Sequence, residues 1–538
     1  MDIRKCPTAT VESVLNYASL ISWASARHPD RPAVRFEDST LSYRELDCEV
    51  RVMAQTLRAH GLVSGDRVAL MMSNCPQFVV AFWGALRAGC VVVPMNPLFQ
   101  EREVDYYLKD SGTKAFIHSE SVLLDAGTGA VSAGQLHARW TVRDHAPQTG
   151  EPLSTDLEAA MERVRNSDLP PSDDLTLTNA DDPAVLLYTS GTTGRPKGAI
   201  LTHSNLTANV SVFSSRCLQI TEEDVVFGAL PLFHSFGQTL GMGSAFAAGA
   251  CLSLLGRFSP DAALKLIAEQ SVTIMLGVPT MYTAILNAVD EKIDQLSTLR
   301  VCVSGGAAAS VELLRQLQDK TGCTVLEGYG LSETSPAASF NHPDRPAKAG
   351  SIGTPIWGTE MRIVDSNGNE LLPHEVGEIQ IRGHNVMAGY HNKPDETQAA
   401  FDSGGWFRTG DIGYIDTDGY YFIIDRKKDL IIRGGYNVYP REIEEVLYEH
   451  PSVLEAAVIG TPHGTLGEEI VAVVTVKPGH VFDSDDLQKW CKNRLAAFKY
   501  PRTVLQTSVL PKGATGKILK REIEIPETIA ATYAAAGS

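Results

Sequence analysis

Short apolar runs alternate with amphipathic stretches along the first three hundred or so residues. Leu41 to Gly61 has the spacing of an amphipathic helix, entered from Ser42 with Glu45 three residues on as a capping box. Val68 to Met72 is a short apolar run that predicts a strand. Pro76 to Ala88 predicts a helix, and Cys90 to Pro94 predicts a second buried strand. This alternation continues to about residue 330 and predicts α/β layers with largely parallel sheets. The polar, proline-containing stretch Pro147 to Ala180 reads as a connecting excursion rather than a domain break.

Beyond residue 350 the pattern changes. Met361 to Asp365 and Glu378 to Arg382 predict short strands, with Ser366-Asn367-Gly368-Asn369 as a turn between them. Tyr414 to Ile424 predicts a hairpin turning at Asp416-Thr417-Asp418-Gly419. After the charged stretch Asp425 to Asp429 come a helix (Pro440 to His450), strands at Ala456 to Gly460 and Glu469 to Val476, and a helix (Ser484 to Ala497). These would form a small α+β unit. The Ala-rich tail after Pro526 is expected to fray. No internal repeat is visible.

Length and composition narrow the picture. With 538 residues, the chain predicts more than one domain. A formal net charge of −17 argues against nucleic acid as the main partner. Nine cysteines, scattered from Cys6 to Cys491 without a Cys-x2-Cys pair, suit a reducing cytoplasm better than a disulfide framework or a structural zinc site. Val225 to Gly256 lacks Asp, Glu, Lys and Arg over 32 residues, long enough to span a bilayer. Pro231 would break a helix there, so the stretch reads as a buried strand and loop followed by a buried helix. No integral membrane segment is expected, and the N-terminus has no apolar signal-peptide core.

The most informative chemistry lies at Tyr188 to Gly198, Tyr-Thr-Ser-Gly-Thr-Thr-Gly-Arg-Pro-Lys-Gly. An apolar run, Ala184 to Leu187, would deliver this loop from a strand. Its glycines, hydroxyls and Lys197 are what a polyphosphate cradle needs. It is not a Walker A loop, because Arg195 and Pro196 separate Gly194 from Lys197 and Gly198 follows the lysine. Gly127-Thr128-Gly129 starts like a dinucleotide fingerprint but lacks the third glycine. Four further segments stand out. They are Gly328-Tyr329-Gly330-Leu331-Ser332-Glu333, Trp406 to Asp411, Asp425 to Asp429 with Gly434-Gly435 beyond, and Pro511-Lys512-Gly513-Ala514-Thr515-Gly516-Lys517.

In this combination, order and spacing the chain resembles the adenylate-forming superfamily of acyl-CoA synthetases, nonribosomal-peptide adenylation domains and luciferases. Through Pro231 to Gly237 and Asp425 to Pro440 it is most similar to bacterial medium- and long-chain fatty acyl-CoA ligases. The resemblance implies a large multi-subdomain N-terminal domain, residues 1–427, with layered parallel-rich sheets and a small barrel. A small mobile α+β C-terminal domain, residues 428–538, would be hinged at Lys428. It implies ATP, Mg²⁺ and coenzyme A as cofactor and co-substrates. A carboxylic acid is joined to AMP with loss of pyrophosphate, then passed to the thiol of CoA. An amine or a carrier-protein thiol is the alternative acceptor, and an inactive adenylate-binding protein the alternative of another class.

Residue by residue, the resemblance gives the β- and γ-phosphates to Thr189, Ser190, Gly191, Thr192, Thr193, Gly194 and Lys197. Glu333 and Thr189 would hold Mg²⁺. Gly305, Gly306 and Ala307 would pack on the adenine, with Glu327, Gly328, Tyr329, Gly330 and Ser332 in the same cofactor site and Tyr329 stacked on the base. Asp411 would accept from the ribose hydroxyls and Arg426 would reach the ribose or phosphate, with Ile423 in the same cofactor site. Lys517 would cross from the small domain to the α-phosphate. Gly434 and Gly435 would line a thiol tunnel after rotation about Lys428, and His234 would gate the second step near the acyl carboxylate. Phe233 to Gly243 offers no acidic residue, so an α-amino acid substrate is disfavoured. Glycines 237, 241 and 243 would leave room for an apolar acyl group.

Overall fold

The computed structural model describes residues 15–120, 136–142, 156–167, 174–189, 195–289, 293–345, 347–513 and 516–536. They divide into two compact units. The first comprises Met1–Thr273, Ser332–Ala337 and His384–Thr397. The second comprises Ile274–Leu331, Ala338–Gly383 and Gln398–Ser538.

The first unit is built on a seven-stranded sheet, ordered Gly389–Tyr390, Lys197–Thr202, Pro183–Thr189, Val91–Pro94, Arg67–Met71, Ala115–Ser119 and Ala138–Val142. Pairing is parallel from Pro183–Thr189 to Ala138–Val142 and antiparallel at the other edge. The parallel strands are buried, as their unbroken apolar runs predict. The expected helix forms at Tyr43–Ala59, and both hydrogen bonds of the Ser42/Glu45 capping box are made. The connecting excursion holds a helix the composition did not announce, Asp156–Arg165, which buries Leu157, Ala160, Met161 and Val164.

The uncharged stretch folds as strand, loop, helix and strand: Val225–Gly228, a π-helix at Phe236–Gly243, an α-helix at Ser244–Ala248, and Cys251–Leu254. No helix among the described residues is long and apolar enough to cross a membrane.

The second unit begins with parallel strands Ile274–Gly277, Val301–Ser304 and Thr324–Gly330. An antiparallel sheet follows, ordered Thr359–Val364, Gly377–Gly383, Phe407–Ile415 and Tyr421–Arg426. The small barrel implied by the resemblance is corrected here. The four strands form an open sheet, whose outer strands each have a single partner in it. With so few strands, closure would need more curvature than ordinary twist supplies.

The C-terminal sheet is ordered Tyr436–Val438, Ile431–Arg433, Gly467–Val476 and Val453–His463, with Thr503–Gln506 also pairing Gly467–Val476. Helices Pro440–Tyr448 and Ser484–Lys492 cover it through Ile443, Leu447, Leu487 and Cys491. The tail does not fray. Glu527–Ala535 is a helix whose Tyr533 hydroxyl meets Thr503 Oγ1 at 2.6 Å and whose ring packs on His463.

Candidate active site

The strand Pro183–Thr189 carries the glycine-rich loop, as its apolar run predicts, and the chain returns along Lys197–Thr202. Ser190, Gly191, Thr192, Thr193 and Gly194 lie outside the described residues, as does Gly127-Thr128-Gly129. Both stems of the loop are fastened to one helix, Glu101–Ser111. Tyr188 donates to Asp110 Oδ2 at 2.7 Å, and Tyr106 donates to the carbonyl of Pro196 at 2.7 Å. Positions 106 and 110 share a helix face, so a single rigid element sets the spacing of the two stems.

At the root of the loop lies a buried carboxylate, Glu333. Thr189 Oγ1 donates to its Oε1 at 3.1 Å, and the Tyr390 hydroxyl donates to the same oxygen at 3.0 Å. Lys197 Nζ stands 5.4 Å from the centre of the Tyr390 ring. The first unit thus brings together Thr189, Lys197 and Glu333. It adds Tyr390, which the sequence reading missed because a lone tyrosine in a two-residue strand carries no local signal. Burial and the neighbouring Glu333 carboxylate push the Tyr390 hydroxyl well above its ordinary pKa, so it remains a donor.

The acyl-pocket expectation for the π-helix needs correction. A Cβ on Gly237 would stand 2.4 Å from the Pro231 carbonyl oxygen, and one on Gly243 would stand 2.2 Å from the Tyr17 hydroxyl. Those two glycines serve close packing rather than room for substrate. Gly241 alone of the three is open, its nearest neighbour being the Phe236 carbonyl oxygen at 3.8 Å. His234 is half-buried just before the π-helix, and its Nδ1 accepts from the Phe236 N–H at 3.3 Å.

The second unit assembles the other group. Asp411 is buried; its Oδ2 accepts from the Tyr329 hydroxyl at 2.5 Å, and its Oδ1 pairs with Arg426 Nε at 3.0 Å. Asp411 and Arg426 face each other across the antiparallel strands Phe407–Ile415 and Tyr421–Arg426. Tyr329 and Glu327 end the strand Thr324–Gly330. Gly305, Gly306 and Ala307 follow the neighbouring strand, Val301–Ser304. Gly328 is pressed against the Phe340 ring, 2.7 Å from a would-be Cβ, and packing alone explains it. Ser332 opens the short 3-10 turn that presents Glu333.

Lys517 completes the group. The Gly513 N–H donates to the Lys517 carbonyl at 2.9 Å. The Gly516 carbonyl accepts from Thr280 Oγ1 at 3.3 Å, at the start of helix Pro279–Ala288. Desolvation first, then the Arg426 guanidinium, lowers the Lys517 ammonium to about 8; Asp411 opposes this in part. Lys517 is half-buried. Burial also raises Glu327 to about 7 against the pull of Arg441.

Lys428 is exposed between strands Tyr421–Arg426 and Ile431–Arg433. Gly434 (φ 59°) and Gly435 (φ 81°) form the two-residue hairpin turn that follows. Both left-handed positions require glycine-like freedom.

These residues match a known pattern. Residues 21–391 match the family described as AMP-binding enzyme, and residues 442–517 match the AMP-binding enzyme C-terminal domain. The chain belongs to the AMP-binding enzyme family. It is similar to a long-chain-fatty-acid–CoA ligase of Bacillus subtilis, at 37% identity over 97% of this chain and 95% of that one. A feruloyl-CoA synthase of an Amycolatopsis species is 38% identical, covering 93% of this chain and 98% of that one. Among solved structures, ATP-bound MatB from Rhodopseudomonas palustris superposes with a TM-score of 0.86 at 32% identity, covering 96% of this AMP-binding enzyme and 99% of MatB.

Proposed function

We propose that this AMP-binding enzyme is an ATP-dependent carboxylic acid:CoA ligase. The observation that carries the reading is the cluster of Tyr329, Asp411, Arg426 and Lys517, an acceptor site for a ribose with an ammonium beside it. Relatives along the whole chain are CoA ligases, which supports CoA as acceptor.

In the first step a carboxylate oxygen of the acid attacks the α-phosphorus of ATP. The bond to the bridging oxygen breaks and pyrophosphate leaves. Charge builds on the non-bridging oxygens and must be met by groups already in place. Lys517 supplies a mobile point charge for this, on a loop rather than a strand. Asp411 accepts from the ribose hydroxyls, and Arg426 keeps that carboxylate oriented. In the first unit, Thr189 and Lys197 take the leaving pyrophosphate.

Glu333 offers one carboxylate with hydroxyl company. This suits Mg²⁺, a cation held by one or two carboxylates together with substrate phosphates. Mg²⁺, when bound, neutralises phosphate charge. In the second step the CoA sulfur attacks the acyl carbonyl and AMP departs. We assign residues 428–538 as the domain that turns about Lys428 between the steps. Ile432 and Tyr436, 52% and 59% exposed beside Gly434-Gly435, are apolar surface that such a turn could cover.

A pyrophosphate-release screen over fatty and aryl acids, with CoA, amines or a phosphopantetheinylated carrier supplied separately, tests the reading. Release with an acid, and thioester only with CoA, is expected. Failure of every acid to release pyrophosphate would sink it.

A further inference from the structure

The helix Pro440–Tyr448 has an unusual start. Its N-cap residue is Tyr439, which makes no side-chain cap. The free N–H of Arg441 instead donates to Asp425 Oδ2 at 2.9 Å, and Asp425 precedes Lys428 in the chain. The Arg441 guanidinium returns the contact, donating from Nη1 to the Ile423 carbonyl at 2.9 Å. The helix is therefore capped from the far side of the assigned pivot. One turn on, Glu444 Oε1 pairs with Lys520 Nζ at 2.7 Å and accepts from the Val458 N–H at 2.7 Å. Lys520 is three residues from Lys517, and it lies in the field of Asp425 and Asp429 as well as Glu444.

The contacts close a ring. Asp425 precedes Arg426, which holds Asp411; Asp425 also holds the helix, the helix holds Lys520, and the Lys520 segment carries Lys517 back into the field of Asp411 and Arg426. We propose that Asp425, Arg441, Glu444 and Lys520 are positioning residues: Asp425 and Arg441 form a polar latch across the assigned pivot that must part for the second half-reaction, while Glu444 and Lys520, both beyond the pivot, tie that latch to the segment that holds Lys517 in place for the first. This rests on the two-step ligase reading above. None of the four needs to touch a reacting atom, because positioning a charge is itself a large part of catalysis by fixed groups. A contact made on one side of a pivot and broken on the other biases a two-state equilibrium by its differential strength.

Lys520→Met and Arg441→Ala test the latch, with Lys520→Arg as the conservative control. Acid-dependent pyrophosphate exchange should fall about tenfold in kcat, with KM for ATP changed less than threefold. Thioester formation from supplied acyl-AMP should hold or rise, and Lys520→Arg should recover most of the exchange rate. Limited trypsin digestion without ligands gives a second readout. Cleavage after the exposed Lys427 and Lys428 should be several-fold faster in Arg441→Ala, which loses the contact to Ile423 across them, than in the unaltered enzyme. Equal loss of both half-reactions, or unchanged exchange together with unchanged cleavage, overturns the latch. If the unaltered enzyme exchanges pyrophosphate with no acid, the ligase reading fails. The cleavage rates then still decide whether the contacts hold the two segments together.

Discussion

Glu333 and Asp411 are both buried carboxylates, one in each unit, and they are satisfied in opposite ways. Glu333 takes two neutral hydroxyls on one oxygen. Asp411 takes one hydroxyl and one guanidinium, split between its oxygens. Hydroxyls orient a carboxylate without cancelling its charge, whereas an arginine does both. Glu333 therefore keeps a charge to offer a cation. Asp411 is balanced and has geometry to offer neutral donors. Burial alone would have classed them together; their partners distinguish the metal-binding role proposed for Glu333 from the ribose-binding role proposed for Asp411.

The largest expected effect falls beside Asp411. Lys517→Ala should lower acid-dependent pyrophosphate exchange by about 10²- to 10³-fold, by analogy with losing one oxyanion donor. Thioester formation from supplied acyl-AMP should survive. Equal losses in both assays would remove Lys517 from the first step. Next, Glu333→Gln keeps an oxygen for both hydroxyls but loses the charge. Exchange should fall about 10²-fold at low Mg²⁺ and recover in part as Mg²⁺ is raised. Asp411→Asn should instead raise KM for ATP about tenfold, the scale of one charged hydrogen bond, with an unchanged Mg²⁺ requirement. A shifted Mg²⁺ requirement in Asp411→Asn would break the comparison.

Acidity sharpens it further. With Lys517 lowered to about 8, the free enzyme loses the ammonium as pH rises through that value. The kcat/KM for ATP should decline about tenfold per unit above it, and Lys517→Arg should flatten the decline because guanidinium stays charged. The smallest effect concerns stability. Glu327 is raised from 4.5 to about 7, so it favours the fold as the neutral acid. That contribution is complete below about 4.5 and is lost as pH climbs through about 7. Glu327→Gln should melt with the unaltered protein at pH 5 and a few degrees above it at pH 8.

Local features were legible in the sequence where local chemistry decides them. The Ser42/Glu45 box started its helix, and the apolar run before Tyr188 delivered its loop. Spacing and resemblance also named Asp411, Arg426 and Lys517. What escaped depends on partners distant in sequence. Tyr390 joins Glu333 across 57 residues, and Asp425 caps a helix whose own N-cap, Tyr439, gives no signal. Gly237 and Gly243 looked like space because a sequence does not say whether a missing side chain leaves a hole or admits a neighbour. Here the neighbours are a backbone carbonyl and the Tyr17 hydroxyl. The tail was misread for a similar reason. Its alanines suggest fraying, but Tyr533 supplies the anchor.

Gly516 sets the height at which the lysine is carried. It has φ +76°, and a Cβ there would sit 2.7 Å from Thr280 Oγ1 and 3.2 Å from Val278 Cγ2. A side chain at this position would crowd Thr280 and Val278, so that either they or the segment carrying the lysine must give way, with no reacting group altered. Such a change would act as a throttle on activation and leave the later transfer to run at its own pace. The tempo of the cycle is thus adjustable at a residue that performs no chemistry.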